Sequence, residues 1–195
     1  MGCSFNEKVK SLMEKYPDLF PTEAKFWSFL RGSLRRSLWS KSPMKLRFKQ
    51  STATPPPEGY TGRGRKGHFC ALTGEWVAVS KSEVDHMEGN VSLSREEDII
   101  PFIIHMLADE DQLQVVSKEA HKIKSMAERQ GITFEEAQAE KTAISLIKGK
   151  RDRQWLNDNG IVPETNQIKR RKQIVEHLLK GKPLLTHSFV NKENE

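Results

Sequence analysis

Glu83-Val-Asp-His86 and Leu113-Gln-Val-Val-Ser-Lys-Glu-Ala-His-Lys-Ile-Lys-Ser125 decide how this chain is read. The first stretch reads as the end of a short strand. The second starts apolar and turns helix-like, with His121 one turn into the helix and 35 positions beyond His86. Between them they offer one carboxylate, Asp85, and two imidazoles, His86 and His121. A carboxylate and an imidazole can hold one hard or borderline cation, and the remaining imidazole titrates near neutrality and can take a proton. Hydrolysing a phosphodiester needs an in-line water, a base for its proton and a cation for the charge that develops. These residues are the minimum set for that chemistry. Neighbours on a regular strand point to opposite faces, so Asp85 and His86 cannot serve the same atom unless the strand end twists.

Outward from this pair, Glu75-Trp-Val-Ala-Val79 and Glu83–His86 read as two strands of a β-hairpin joined at Ser80-Lys-Ser82. Residues 87–112 then form a helical excursion before the helix that carries His121. Within it, Ser94-Arg-Glu-Glu97 has capping-box form, and Pro101 predicts a kinked helix or two short ones. Ser117 can cap the His121 helix, which Gly131 ends. Thr133-Phe-Glu-Glu136 is a second capping box, opening a helix to about Lys148, and Gly149, Gly160 and Gly181 punctuate further helical stretches to the end of the chain. Toward the N-terminus, residues 7–20 read as a helix stopped by Pro21, and Thr22 can cap the next. There Trp27, Leu30, Leu34 and Leu38 fall on one face as a core stripe. Residues 51–62, with three prolines and two glycines, read as a linker that Arg63, Arg65 and Lys66 close with positive charge.

Charge is unevenly distributed. Residues 1–66 carry 14 Lys/Arg against 5 Asp/Glu, residues 67–140 carry 6 against 15, and residues 141–195 carry 12 against 6. Basic ends suit a polyanion and an acidic centre suits a cation, or the two signs simply pair with each other. No apolar run approaches the ~18 residues that span a bilayer, so no membrane partner is expected. Met1-Gly2 is only a faint acylation cue, because Asn6 stands where Ser or Thr is wanted. Two cysteines, Cys3 and Cys70, cannot build a disulfide framework, which makes a reducing compartment the default.

The basic helix Trp27–Pro43, then Cys70-Ala-Leu-Thr-Gly-Glu-Trp76, Glu83–His86, Leu113–Val116, His121-Lys-Ile-Lys124 and Ile132–Ala137 form an ordered set. This set resembles the HNH endonucleases, in particular phage-encoded, free-standing homing endonucleases, over roughly residues 25–160. The resemblance implies an α+β protein with a central ββα-metal nuclease domain at 67–131. A helical basic arm at 1–50 and a Pro/Gly-rich linker at 51–66 would precede the domain, and a helical region at 132–195 would follow it. His86 would be the general base, and Asp85 and His121 would hold Mg²⁺ or Mn²⁺. The family's Asn, whose side chain braces the loop that orients the base, is replaced by Gln112. The zinc knuckle of many relatives maps onto Cys70–Thr73 and Ser117–Ala120, where only Cys70 remains. No structural zinc is therefore expected, and Cys70 becomes a small buried residue. The implied partner is double-stranded DNA, in the cytoplasm of an infected bacterial host, contacted by Arg31, Arg35, Arg36, Arg63, Arg65, Lys66, Lys122 and Lys124. A degenerate module kept as a non-catalytic nucleic-acid- or protein-binding adaptor is the competing reading, and cleavage of structured RNA is a third. Glu88 could reach the metal through water. His68, His105, His177 and His187 read as packed or surface residues, and Lys169-Arg-Arg-Lys172 as a DNA clamp or a solvated helix end.

Overall fold

Local signals start most of the helices. Ser4 caps α1 (Phe5–Lys15) in a reciprocal box with Glu7, and Thr22 caps α2 (Glu23–Leu34) by accepting from the Lys25 N–H. The Trp27/Leu30/Leu34/Leu38 stripe does face a core. It runs through α2 into a π-helical turn, Arg35–Trp39, that widens the helix before α3 (Pro43–Ser51). The computed structural model describes residues 4–89 and 91–180. Met1-Gly2, Cys3, Gly181 and His187 lie outside them. The chain divides into two units, Met1–Ser117 and Lys118–Glu195.

The first unit mixes helices with two small antiparallel sheets, each of two strands. β1 (Gly67–Phe69) pairs with β2 (Trp76–Ala78), and β3 (Ser82–His86) pairs with β4 (Leu113–Ser117). The hairpin expected from Glu75–Val79 and Glu83–His86 does not form. Val79–Lys81 wind into a 3₁₀ turn, so β2 and β3 enter different sheets. β1 is hard to read because Gly67 opens it. A Cβ at Gly67 would strike the Trp76 indole and the Val77 carbonyl oxygen, so only glycine allows that approach.

The excursion therefore lies inside the β3–β4 pair rather than after it. Ser94 and Asp98, not Glu97, make its capping contact: the Asp98 carboxylate accepts from the Ser94 N–H at 2.8 Å and hydroxyl at 2.9 Å. Pro101 does not break α4 (Ile99–Met106). It sits in the first turn, where a missing N–H leaves no bond unmade.

The N-terminal segment is not a separate arm. Val9, Phe26 and Trp27 share one core with Leu93, Phe102 and Met106 of the excursion. Val84, Ala108, Leu113 and Val115 form a second core, against which Trp39 and Phe48 pack. Residues 51–66 are not a free linker either. Thr54 and Gly67 exchange both backbone hydrogen bonds, the Trp76 indole N–H donates to the Thr54 hydroxyl at 3.2 Å, and the Tyr60 ring meets Trp76 edge-on at 4.6 Å.

The second unit is helical: α5 (Lys118–Gln130), α6 (Phe134–Lys148), α7 (Asp152–Asp158) and α8 (Gln167–Leu179). Thr133 and Glu136 form the expected capping box, and Gly131 and Gly160 adopt the positive φ that ends a helix. Ala143, Leu156 and Ile174 join α6, α7 and α8 in one core. A buried ion pair runs through the same helices, with Arg170 Nε donating to Asp152 at 2.6 Å. No helix among the described residues is long and apolar enough to cross a membrane.

Candidate functional site

β3 alternates regularly, with Ser82, Val84 and His86 buried and Glu83 and Asp85 half-buried on the other face. The Asp85 and His86 side chains leave the strand in opposite directions, as the alternation requires. Register pairs Asp85 with Gln114 and His86 with Leu113.

The His86 ring lies between two others, stacked on Trp39 at 4.0 Å and on His105 at 3.8 Å between centroids. Its Nε2 lies 2.8 Å from the main-chain oxygen of His105. A carbonyl oxygen only accepts, so Nε2 carries a hydrogen in this contact. The hydrogen bond and the two stacked rings fix the plane of the imidazole. His86 is 7% exposed, and it lines a cavity of about 580 Å³ with Met87, Glu88, Ile104, His105 and Asp111. Glu88 thus lies with His86 in the cavity wall.

Gln112 does not brace this site through its side chain. Its Oε1 accepts from the Asp109 N–H at 2.9 Å, closing a 3₁₀ turn, whereas its main-chain oxygen accepts from the Met87 N–H at 2.9 Å. The longer arm folds back on its own turn, and the backbone takes over the link to the residue after His86. The side-chain brace comes from Gln114, whose amide donates to the His86 carbonyl at 3.2 Å and reaches Asp85 at 3.5 Å.

For a divalent cation, Glu83 and Asp85 share one strand face and offer carboxylate oxygens. That donor set suits a hard ion such as Mg²⁺, which keeps much of its water. Among the described residues, no three His, Cys, Asp or Glu gather into a caged metal site. His121 lies in the first turn of α5, in the second unit, and is half-buried.

Cys70 is 1% exposed and does more than fill space. Its Sγ accepts the Ser117 N–H at 3.2 Å, tying the turn after β1 to the end of β4. Burial pushes the thiol's pKa up, but bonds from the Thr73 hydroxyl and from the Ser117, Leu72 and Thr73 backbones outweigh it and hold the thiol below its usual range.

The cations expected on DNA divide into several groups. Arg35, Arg36, Arg63, Arg65, Lys66 and Lys122 are exposed. Arg31 is half-buried, and the guanidinium of Arg35 lies 5.7 Å from the Phe102 ring centroid. Burial, and after it the Arg31 charge, lower the proton affinity of Arg35. Lys124 departs from expectation: it is 1% exposed and pairs with Glu128 at 3.3 Å, so it is a buried structural cation rather than a phosphate contact. The 169–172 run also divides. Arg170 and Arg171 are tied to Asp152 and Glu140, while Lys169 and Lys172 stay exposed.

Sequence reasoning missed Trp39, His105, Gln114 and Lys45. Lys45 Nζ lies 4.4 Å from the centroid of the Trp39 ring that stacks on His86. Burial first, then the Lys49 charge, lower the proton affinity of Lys45 against the opposing pull of Glu83 and Asp85. Only Gln114 carried a readable signal, because it stands opposite Asp85 once β3 and β4 are paired. Comparison of the chain with protein-family models, with curated proteins and with solved structures returned no match.

Proposed function

We propose that this protein is a metal-dependent endonuclease of duplex DNA, with His86 as the general base. The observation that carries the reading is the fixed imidazole at the end of β3. Its Nε2 is held by the His105 carbonyl, its plane is fixed between Trp39 and His105, and the residue lines a cavity. The chain order supports the same reading, because β3 pairs with β4 and β4 runs directly into the helix that bears His121. This is a ββα succession with the excursion 87–112 set between its strands.

In this reading Nδ1 of His86 takes the proton of the attacking water, and the His105 carbonyl stabilises the imidazolium that forms. Trp39 and His105 hold the ring plane so that little reorganisation accompanies the transfer. Gln114 keeps the strand end in register while the base works. Asp85 is the residue that would hold Mg²⁺ or Mn²⁺, which when bound supplies Lewis-acid stabilisation of charge on the phosphorane. The phage homing-endonuclease setting and the bacterial cytoplasm belong to the same proposal.

A second reading has one observation in its favour. A histidine 7% exposed and stacked on both faces is also what a packed, non-catalytic module would contain. The two readings part in one assay, incubation of supercoiled plasmid with purified protein with and without Mg²⁺. We expect nicked or linear product from wild type and none from His86→Gln, whose amide keeps a donor for the His105 carbonyl but offers no base. Cleavage by His86→Gln at the wild-type rate would remove His86 from the mechanism. No cleavage by wild type under any divalent ion would leave the adaptor reading.

A further inference from the structure

Helix α3 carries the cations Lys45, Arg47 and Lys49 near its middle, and two of them are committed to protein acceptors. Arg47 pairs with Glu110 at 3.1 Å, and Lys49 Nζ donates to the Ser82 carbonyl at 3.3 Å. Lys45 differs. It is half-buried, yet among the described residues its ammonium makes no ion pair and no hydrogen bond to an oxygen. What it has is the face of Trp39, and the same indole stacks on His86. A cation drawn partly out of water gains something from an aromatic face, but an anion remains its best partner. The nearest negative charges that it feels, Glu83 and Asp85, lie on the strand that ends at His86. Base and ammonium thus share one indole, Trp39, and no protein oxygen is bonded to the ammonium among the described residues.

We propose that Lys45 is the phosphate anchor of this site: its ammonium takes an oxygen of a DNA backbone phosphate next to His86 and fixes the strand relative to the base. This rests on the nuclease reading above, and the test separates the two. Lys45→Met keeps the apolar stem over Trp39 and removes the charge, and Lys45→Arg restores the charge. The probes are a short duplex DNA for binding over a range of salt and supercoiled plasmid with Mg²⁺ for cleavage. Thermal melting of each variant serves as the control.

We expect Lys45→Met to reduce the slope of log affinity against log salt by about 0.9, one phosphate contact. Cleavage should fall by roughly 10–100-fold, the usual consequence of losing one charge-assisted hydrogen bond. Lys45→Arg should recover the slope, and melting should be unchanged in both variants. An unchanged slope in Lys45→Met overturns the proposal, whether or not its melting temperature falls, since Lys45 would then be only a packing residue. If wild type fails to cut but the slope still drops in Lys45→Met, the phosphate contact stands and the nuclease reading falls. If His86→Gln is inactive while Lys45→Met both binds and cuts as wild type, the nuclease reading stands and this proposal falls.

Discussion

Buried ionisable groups occur in both units, and the two units treat them differently. In the helical unit Arg170 is held by three protein acceptors. Its Nε donates to Asp152, and one terminal nitrogen donates to the Glu164 and Thr165 carbonyls at 3.0 and 2.6 Å. At the end of β3, by contrast, the neighbours of His86 and Lys45 include flat rings, Trp39 and His105, and a cavity opens at the imidazole. The first region spends its polar atoms on holding helices together. The second holds an imidazole in a fixed plane beside open space. Burial alone cannot separate the two, because His68 is more buried than His86 and is plainly structural. Its Nε2 lies 2.8 Å from the Lys49 carbonyl and its Nδ1 3.0 Å from the Ser82 hydroxyl, which ties α3, β1 and β3 together. Three elements tied through one ring mark a staple, and a cavity beside the ring marks the candidate for chemistry.

The contrast can be broken most severely at His86. His86→Gln should lower plasmid cleavage by ~10²–10⁴-fold, the usual loss for a positioned base, with duplex binding retained. Comparable loss of binding would return His86 to the same class as Arg170.

Asp152→Asn should do the opposite. It leaves Arg170 buried without its carboxylate, and a cost of about 3–5 kcal/mol is expected from breaking a buried pair on one side. A fall in melting temperature of the whole protein reads it, and a change under a tenth of the usual transition width would mean that the carbonyls alone satisfy Arg170.

The same pair sets a pH dependence. Burial raises the Asp152 pKa, but the Arg170 hydrogen bond and charge outweigh it, so the folded value lies below the ordinary one. Its stabilisation is present above the unfolded pKa of about 3.9 and is lost as pH falls through the folded value. Acid melting curves should therefore show a wild-type decline below about pH 5 that is shallower in Asp152→Asn.

His68→Phe tests the staple. It removes both polar contacts and should cost about 1–3 kcal/mol, because the Lys49 carbonyl loses its donor, while the Ser82 hydroxyl keeps only its bond to the Val79 carbonyl. If it instead abolished cleavage with no change in melting, His68 would belong with His86. The smallest effect is expected at Cys70→Ala, where loss of the acceptor for the Ser117 N–H should cost about 1 kcal/mol by thermal melting.

Much of this organisation can be read locally. Thr22 and Thr133 announce their helices because a capping bond spans only three residues, and the Trp27 stripe announces a core because its period needs no partner. Asp85 and His86 stand out for the same reason. What the sequence hides is pairing at long range. β2 and β3 are adjacent in the chain and look like a hairpin, yet β2 pairs back with β1 and β3 pairs with β4 across residues 87–112. Gly67 gives β1 no strand-like signature, and β4 comes only after residues 87–112. Residues 1–50 look like a free basic arm because charge is visible in a sequence, whereas the burial of Val9, Phe26 and Trp27 against Leu93 and Phe102 is not. Trp39 and His105 reach His86 from two different elements and Lys45 reaches Trp39 from a third, so no spacing rule could gather them.

The Met87–Gln112 backbone bond has a consequence for how such a chain could arise. His86 and Leu113 face each other in register, so the ends of residues 87–112 meet as closely as the ends of a tight turn would. A segment with touching ends can enter or leave a strand pair without disturbing the register on either side. In this chain the segment brings Leu93, Phe102 and Met106 to the first core and the His105 carbonyl to the imidazole. Replacing it with a two-residue turn would leave β3 and β4 able to pair, but with an unsupported histidine at their tip. In this chain the insertion and the site are one inheritance.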